Sequence, residues 1–240
     1  MSRSTLFLMA FLILSSSTFA EKRTVTLVAD RWCPFNCSDN PEDRGILVEM
    51  AAKALAGDGV EIDYIEMPWT RAIIGVRDGE YDGIVGAGLV ETPDFHFPPQ
   101  PLATARYSFF TLPSTTWEYQ GLDSLKKLRL GVIQDYSYGT LSKNYIEANR
   151  NDRSRLVVLK GNRVLPRLVR MLELGRIDAL IAEEKVLDYH FVASGRVNPL
   201  RNAGLANEEA LYIAFSPVLA DGAALAEALG RGLIKMGSAP

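Results

Sequence analysis

The feature that most constrains this chain is a weak internal duplication. Thr24 to Asp30 is a short β-rich run, and a helix follows with Ile46, Leu47, Met50, Ala51, Ala54 and Leu55 on one face. Val60 to Glu66 reads as a second strand. Pro68 stands where a helix can begin, and Trp69 to Arg77 is its body. Gly79 stops that helix before a third strand at Tyr81-Asp82-Gly83-Ile84-Val85. The same grammar returns from Leu128: a strand to Ile133, a helix over Leu141 to Asn149, a strand over Leu156 to Leu159 and a helix over Val164 to Leu174. Gly175 stops that helix, and Ile177-Asp178-Ala179-Leu180-Ile181 matches the first ending in register. Each half is a β-α-β-α-β unit, which predicts mainly parallel sheets with helices on their faces.

An extended, proline-interrupted stretch, Phe109 to Ser114, lies between the halves. Leu211 to Phe215 reads as a late strand and Ala223 to Met236 as a last helix. Two similar α/β lobes joined by extended connectors predict a cleft with a hinge; one large sheet is the alternative reading.

Ligands of open α/β sheets collect at the carboxyl ends of the strands. In the first half those ends are Asp30-Arg31-Trp32, Met67-Pro68-Trp69 and Gly86-Ala87-Gly88. In the second they are Gln134 to Tyr138, Lys160-Gly161-Asn162 and Ala182-Glu183-Glu184. Trp32 and Trp69 are candidate cleft walls or packing anchors. Gly86 and Gly88 bare the backbone either for a tight turn or for a ligand. Ser137, flanked by Tyr136 and Tyr138, opens a helix whose free N–H groups favour an anion; the same residue is a plausible N-cap. Glu183 and Arg71 are each read either as ligand contacts or as solvated side chains. The mixture of aromatic, acidic and bare-backbone positions suits a small polar molecule.

The first twenty residues have the form of a signal peptide: Arg3, the apolar run Leu6 to Leu14, then small residues up to Ala20. That run is too short to span a bilayer, so the expectation is an exported, periplasmic chain starting near Glu21. Export also makes a disulfide the expected state of Cys33 and Cys37. A redox pair and a metal site are the weaker readings, and no metal or cofactor is expected. With Arg3 gone from the 26 basic side chains against 29 acidic ones, the chain is modestly acidic. That excludes a basic nucleic-acid-binding face.

The series Gly45-Ile46-Leu47-Val48-Glu49-Met50, Pro68-Trp69, Gly79-Glu80-Tyr81-Asp82-Gly83-Ile84, Leu130 to Gln134 and Gly175-Arg176-Ile177-Asp178 resembles the periplasmic substrate-binding proteins of the amino-acid type. The resemblance implies the type II periplasmic-binding fold, crossed twice by the chain. Lobe 1 would comprise residues 21–112 and 205–240, and lobe 2 residues 113–204. It implies a small-molecule ligand, an importer or a membrane receptor as partner, and a monomer. It carries the ligand-binding roles onto Trp32 or Phe35, Gly86 to Gly88, Ser137 and its neighbouring tyrosines, and, for a ligand ammonium, Glu183. The chain departs from the family after the third strand, where an arginine usually grips a ligand carboxylate. Here the stretch runs Glu91-Thr92-Pro93-Asp94-Phe95-His96-Phe97. Arg71 or Arg106 is the candidate replacement. The retained acid Glu183, with Glu91 and Asp135, leaves room for an amine or a modified amino acid.

Two other functions compete with solute capture. Some periplasmic cyclohexadienyl dehydratases resemble these binding proteins, and Glu183, Glu91 and Arg71 could fill catalytic roles there. A redox protein would rest on Cys33 and Cys37. The sequence has no nucleophile elbow, metal-ligand cluster or phosphate loop to favour an enzyme, so the expected activity is binding without chemistry.

Overall fold

The computed structural model describes residues 23–38 and 40–237; the proposed signal peptide, residues 1–20, lies outside them. The first repeat is β1 (Arg23–Ala29), α1 (Ile46–Leu55), β2 (Val60–Glu66), α2 (Trp69–Arg77) and β3 (Gly83–Ala87). After β4 (Ala103–Thr111) the second repeat runs β5 (Leu130–Ile133), a π-type helical turn over Ser142–Glu147, β6 (Leu156–Leu159), α3 (Val164–Glu173) and β7 (Ala179–Glu183). Then come α4 (Glu184–Val192), β8 (Arg201–Phe215) and α5 (Gly222–Lys235).

The duplication holds at the level of single hydrogen bonds. Asp82 accepts the Thr26 N–H through its carboxylate at 2.7 Å, and Asp178 accepts that of Arg129 at 2.7 Å. The backbone N–H of each aspartate returns a bond to the carbonyl of the same partner, at 3.1 and 2.9 Å. Gly79 and Gly175 both take positive φ to end their helices. The recurring Gly-x-x-Asp is therefore a clamp that ties each helix exit to the first strand of its own repeat.

The strand order is β2-β1-β3-β8-β4-β7-β5-β6. Within each repeat the pairing is parallel, β1 with β2 and β3, and β5 with β6 and β7. Every antiparallel ladder involves β4 or β8. These two long strands pair with each other from Ala103–Leu211 to Thr111–Arg201 and so carry the chain from one half to the other and back. Both were longer than their sequence signal. Arg201 to Ala210 is too polar and glycine-broken to read as strand, and its pairing with β4 overrides that propensity. α4 was not expected; Glu183 starts it as a cap.

Helix faces follow the apolar spacing. α1 buries Leu47, Val48, Ala51, Ala54 and Leu55, and α3 buries Val164, Leu168, Val169 and Leu172. The second half has a core of its own, where α3 meets Phe110, Leu180 and Phe191. The carboxyl ends of the strands from both halves meet at one cleft.

Candidate functional site

The disulfide between Cys33 and Cys37 closes a tight loop directly after β1. Inside it the Trp32 N–H donates to the Asn36 carbonyl at 2.8 Å, and the Phe35 N–H to the Trp32 carbonyl at 3.0 Å. This loop aims two side chains into the cleft. Trp32, 7 % exposed, lies 4.8 Å from the Phe35 ring and stacks on Tyr107 at 6.2 Å. Asn36, 1 % exposed, donates to the Asp30 carbonyl at 2.6 Å, while its Oδ1 has no hydrogen-bond partner.

The turn after β3 brings the acids. Glu91 accepts the Gly88 N–H at 3.2 Å through one carboxylate oxygen and the Ser137 N–H at 2.7 Å through the other. Ser137 belongs to the opposite half, so this carboxylate bridges the cleft. Glu209, carried in on β8 opposite Ala105, lies against Gly88, where any β-carbon would collide with it. A side chain at position 88 would push the Glu209 carboxylate aside. Gly86 holds φ +82° beside Asn36 and Trp32.

Other bonds also cross the cleft. The Trp69 indole N–H donates to the Asp135 carbonyl at 3.1 Å and the Thr70 hydroxyl to its carboxylate at 2.7 Å. The Tyr136 hydroxyl donates to the Asp30 carboxylate. Asp30, Trp32, Trp69, Glu91, Tyr136 and Glu209 line a small, narrow cavity where the two halves meet. None of its lining residues is basic. It adjoins a larger cleft that shares Asp30, Trp32, Tyr107 and Tyr136 with it and reaches Glu183, Tyr138, Arg31 and Arg163.

Crowded, half-dry acids resist ionisation. Burial, and then the charge of Glu209, push the Glu91 carboxyl up to about 8, against the two N–H donors that favour its anion. Burial lifts Asp30 to about 6, opposed by the Tyr136 hydrogen bond. Glu209 is raised by burial too, with Ser137 opposing. Tyr107 and Tyr136 are held well above their ordinary range by burial, with Glu91 acting next on Tyr107 and Asp30 on Tyr136. The cavity is therefore a set of acceptors, part charged and part protonated, walled by aromatic rings.

Among the residues singled out from sequence, Trp32, Trp69, Gly86, Gly88, Glu91 and Tyr136 line the cavity, and Ser137 meets it through its N–H. Tyr138 stands behind, its hydroxyl accepting the Ile133 N–H at 3.0 Å and its ring edge-on to Tyr107. Two expectations need correction. Arg71 is exposed and lines neither opening, because α2 buries Trp69, Ala72 and Val76 on the opposite face. Arg106 is no substitute carboxylate grip either, since its guanidinium pairs with Glu184 and Glu208. Glu183 borders the larger cleft only. It is 2 % exposed and accepts the Val186 N–H at 2.7 Å as the α4 cap and the Arg106 N–H at 3.4 Å. Asp135 is turned to Thr70 and Trp69. Sequence reading did not single out Asn36, Tyr107 or Glu209. Asn36 had a local signal, its place inside the Cys33–Cys37 loop; the other two come from the crossing strands and had none.

No protein-family model matches the sequence, and no curated protein does. Solved structures do match over nearly the whole chain. A histidine kinase sensor domain with similarity to periplasmic binding proteins superposes with a TM-score of 0.71 at 18% identity, covering 90% of this chain and 92% of its own. The amino acid ABC transporter substrate-binding protein AbpA from Streptococcus pneumoniae, bound to L-arginine, gives 0.68 at 22%, covering 90% and 91%. The ancestral amino-acid-binding protein AncCDT-1, a precursor of cyclohexadienyl dehydratase, gives 0.63 at 18%, covering 89% of each chain. Identities this low speak for architecture, and the chain has the two-lobed fold of the periplasmic amino-acid-binding proteins.

Proposed function

We propose that this chain is an exported solute-binding protein that closes its two lobes on a small polar molecule and passes it unchanged to a membrane importer. The observation that carries the reading is the cavity itself. It is built where strand ends of both repeats meet, and side chains and N–H groups from the two halves reach across to one another around it. The lobes, 21–112 with 205–240 and 113–204, would turn about the β4–β8 ladder, whose register slips between Tyr107 and Ser108. Trp32, Trp69, Gly86, Gly88, Glu91, Tyr136 and Ser137 would surround the solute, an amino-acid derivative, an amine or a related compound. Delivery to a membrane receptor in place of an importer is the second reading, favoured by the likeness to a kinase sensor domain.

A thermal-shift screen of the refolded, signal-free protein tests this. A solute at 100 times its Kd should add about 2.7 kcal/mol, or roughly 5–10 °C in Tm. The compound should be recovered chemically intact. Turnover of the bound compound would replace the reading with an enzyme of the dehydratase kind.

A further inference from the structure

We infer that the cargo of this cavity is a cation without a carboxylate, an amine or guanidine, because Glu91 supplies the carboxylate itself. The inference rests on the solute-binding reading and narrows its cargo.

An anionic group entering the cavity would need donors. Two backbone donors at the cleft edge, the N–H of Gly88 and the N–H of Ser137, one from each half, already end on Glu91. Among the described residues no lysine or arginine lines this cavity; Arg31 and Arg163 line the adjoining larger cleft instead. The internal carboxylate thus occupies the place an acid would take. A carboxylated solute must either evict Glu91 from its two donors or sit against the acids Glu91, Glu209 and Asp30 with no backbone donor left for it.

The remaining acceptor capacity of the lining asks for the opposite chemistry. Asp30 and Glu209 are acceptors when ionised, and Asn36 Oδ1 is an orphaned acceptor on a side chain only 1 % exposed, lining the same cavity beside Gly86. A buried acceptor without a donor is what an ammonium or guanidinium N–H would complete. Trp32, Tyr107, Tyr136 and Trp69 add aromatic rings to the lining, and aromatic faces attract cations. The acids alone would be an ordinary acidic cluster. The orphaned amide oxygen and the occupied anion donors make the site directional: donors in, carboxylates out.

Calorimetric titration of matched pairs differing by one carboxylate tests the inference: agmatine against L-arginine, putrescine against L-ornithine and cadaverine against L-lysine. In the wild-type protein the decarboxylated member of at least one pair should bind about tenfold tighter or more, since like charge in the site opposes the other member. Glu91→Ala frees both N–H groups and should shift that ratio toward the amino acid by about tenfold. Glu91→Gln, which keeps the shape but cannot ionise beside a bound cation, should weaken the amine and narrow the ratio. The wild-type comparison decides even where a variant fails to fold. Equal or tighter binding of the carboxylated members, or no binding by any of the six, overturns the inference. A neutral or anionic panel run in parallel separates the two levels. Binding there with no amine binding leaves solute capture standing without this cargo, and no binding in either panel removes both.

Discussion

Replacing Glu91 by glutamine should flatten the dependence of stability on pH and make the variant's curve cross that of the wild type. In the native chain this carboxyl is raised from 4.5 to about 8, first by burial and then by Glu209; Asp30 adds to the effect, and the Gly88 and Ser137 N–H groups oppose it. Tyr107 and Tyr138 also face it and stay protonated, their own values raised by burial. A carboxyl raised by folding binds more protons native than unfolded. Its contribution is therefore complete below the unfolded value and is lost as pH climbs through the folded one. At 1.36 kcal/mol per pKa unit the loss is on the order of 5 kcal/mol, or roughly 10–20 °C in Tm for a chain of this size. Glutamine does not titrate, but its amide turns an N–H toward one of the two backbone donors, costing about 1–3 kcal/mol. The wild type should be the more stable protein near about pH 5 and the variant near about pH 9. Asp30 and Glu209 slope the same way in both proteins, so the difference between two calorimetric melting series isolates Glu91. Parallel curves would refute the burial argument.

The remaining predictions follow from single contacts. Trp69→Phe keeps the ring but removes the indole N–H bond to Asp135 that crosses the cleft; solute affinity should fall by roughly 0.5–1.5 kcal/mol, and unchanged affinity would show that this bond does not hold the closed form. Glu183→Ala should lower stability through loss of the α4 cap, by about 0.5–2 kcal/mol, while cationic and neutral solutes change alike. A selective loss of the cation would return Glu183 to the ligand. Gly88→Ala should displace Glu209 and weaken binding of any amine that binds the wild type; unaltered titrations would mean Glu209 takes no part.

The architecture was legible because the duplicated Gly-x-x-Asp repeats a physical device. Gly79 and Gly175 end their helices, and Asp82 and Asp178 clamp the first strands. The cleft walls were legible for a similar reason, since Trp32, Trp69, Gly86 and Gly88 follow strand ends within their own repeat. Glu209 and Tyr107 were not, because only the long β4–β8 pairing brings them there, and Arg201 to Ala210 has little intrinsic strand propensity. Glu183 borders the larger cleft and also caps α4, a second role its sequence position did not reveal. An acid at a strand end is equally placed to cap the next helix, and without α4 in view the cap could not be foreseen. Arg71 could have been set aside from sequence alone: Trp69, Ala72 and Val76 define the buried face of α2, and position 71 falls outside it.

The most direct test of solute capture by lobe closure is a distance measured across the cleft. Spin labels attached through unnatural side chains at the exposed Lys53 on α1 and Arg170 on α3 leave the Cys33–Cys37 bond intact. With the best-binding solute of the thermal-shift screen, the distance distribution should collapse to one short population, return to a broad one when the solute is removed, and do so with the solute unchanged. A distribution indifferent to a solute that binds, or a solute consumed during the measurement, would contradict the account.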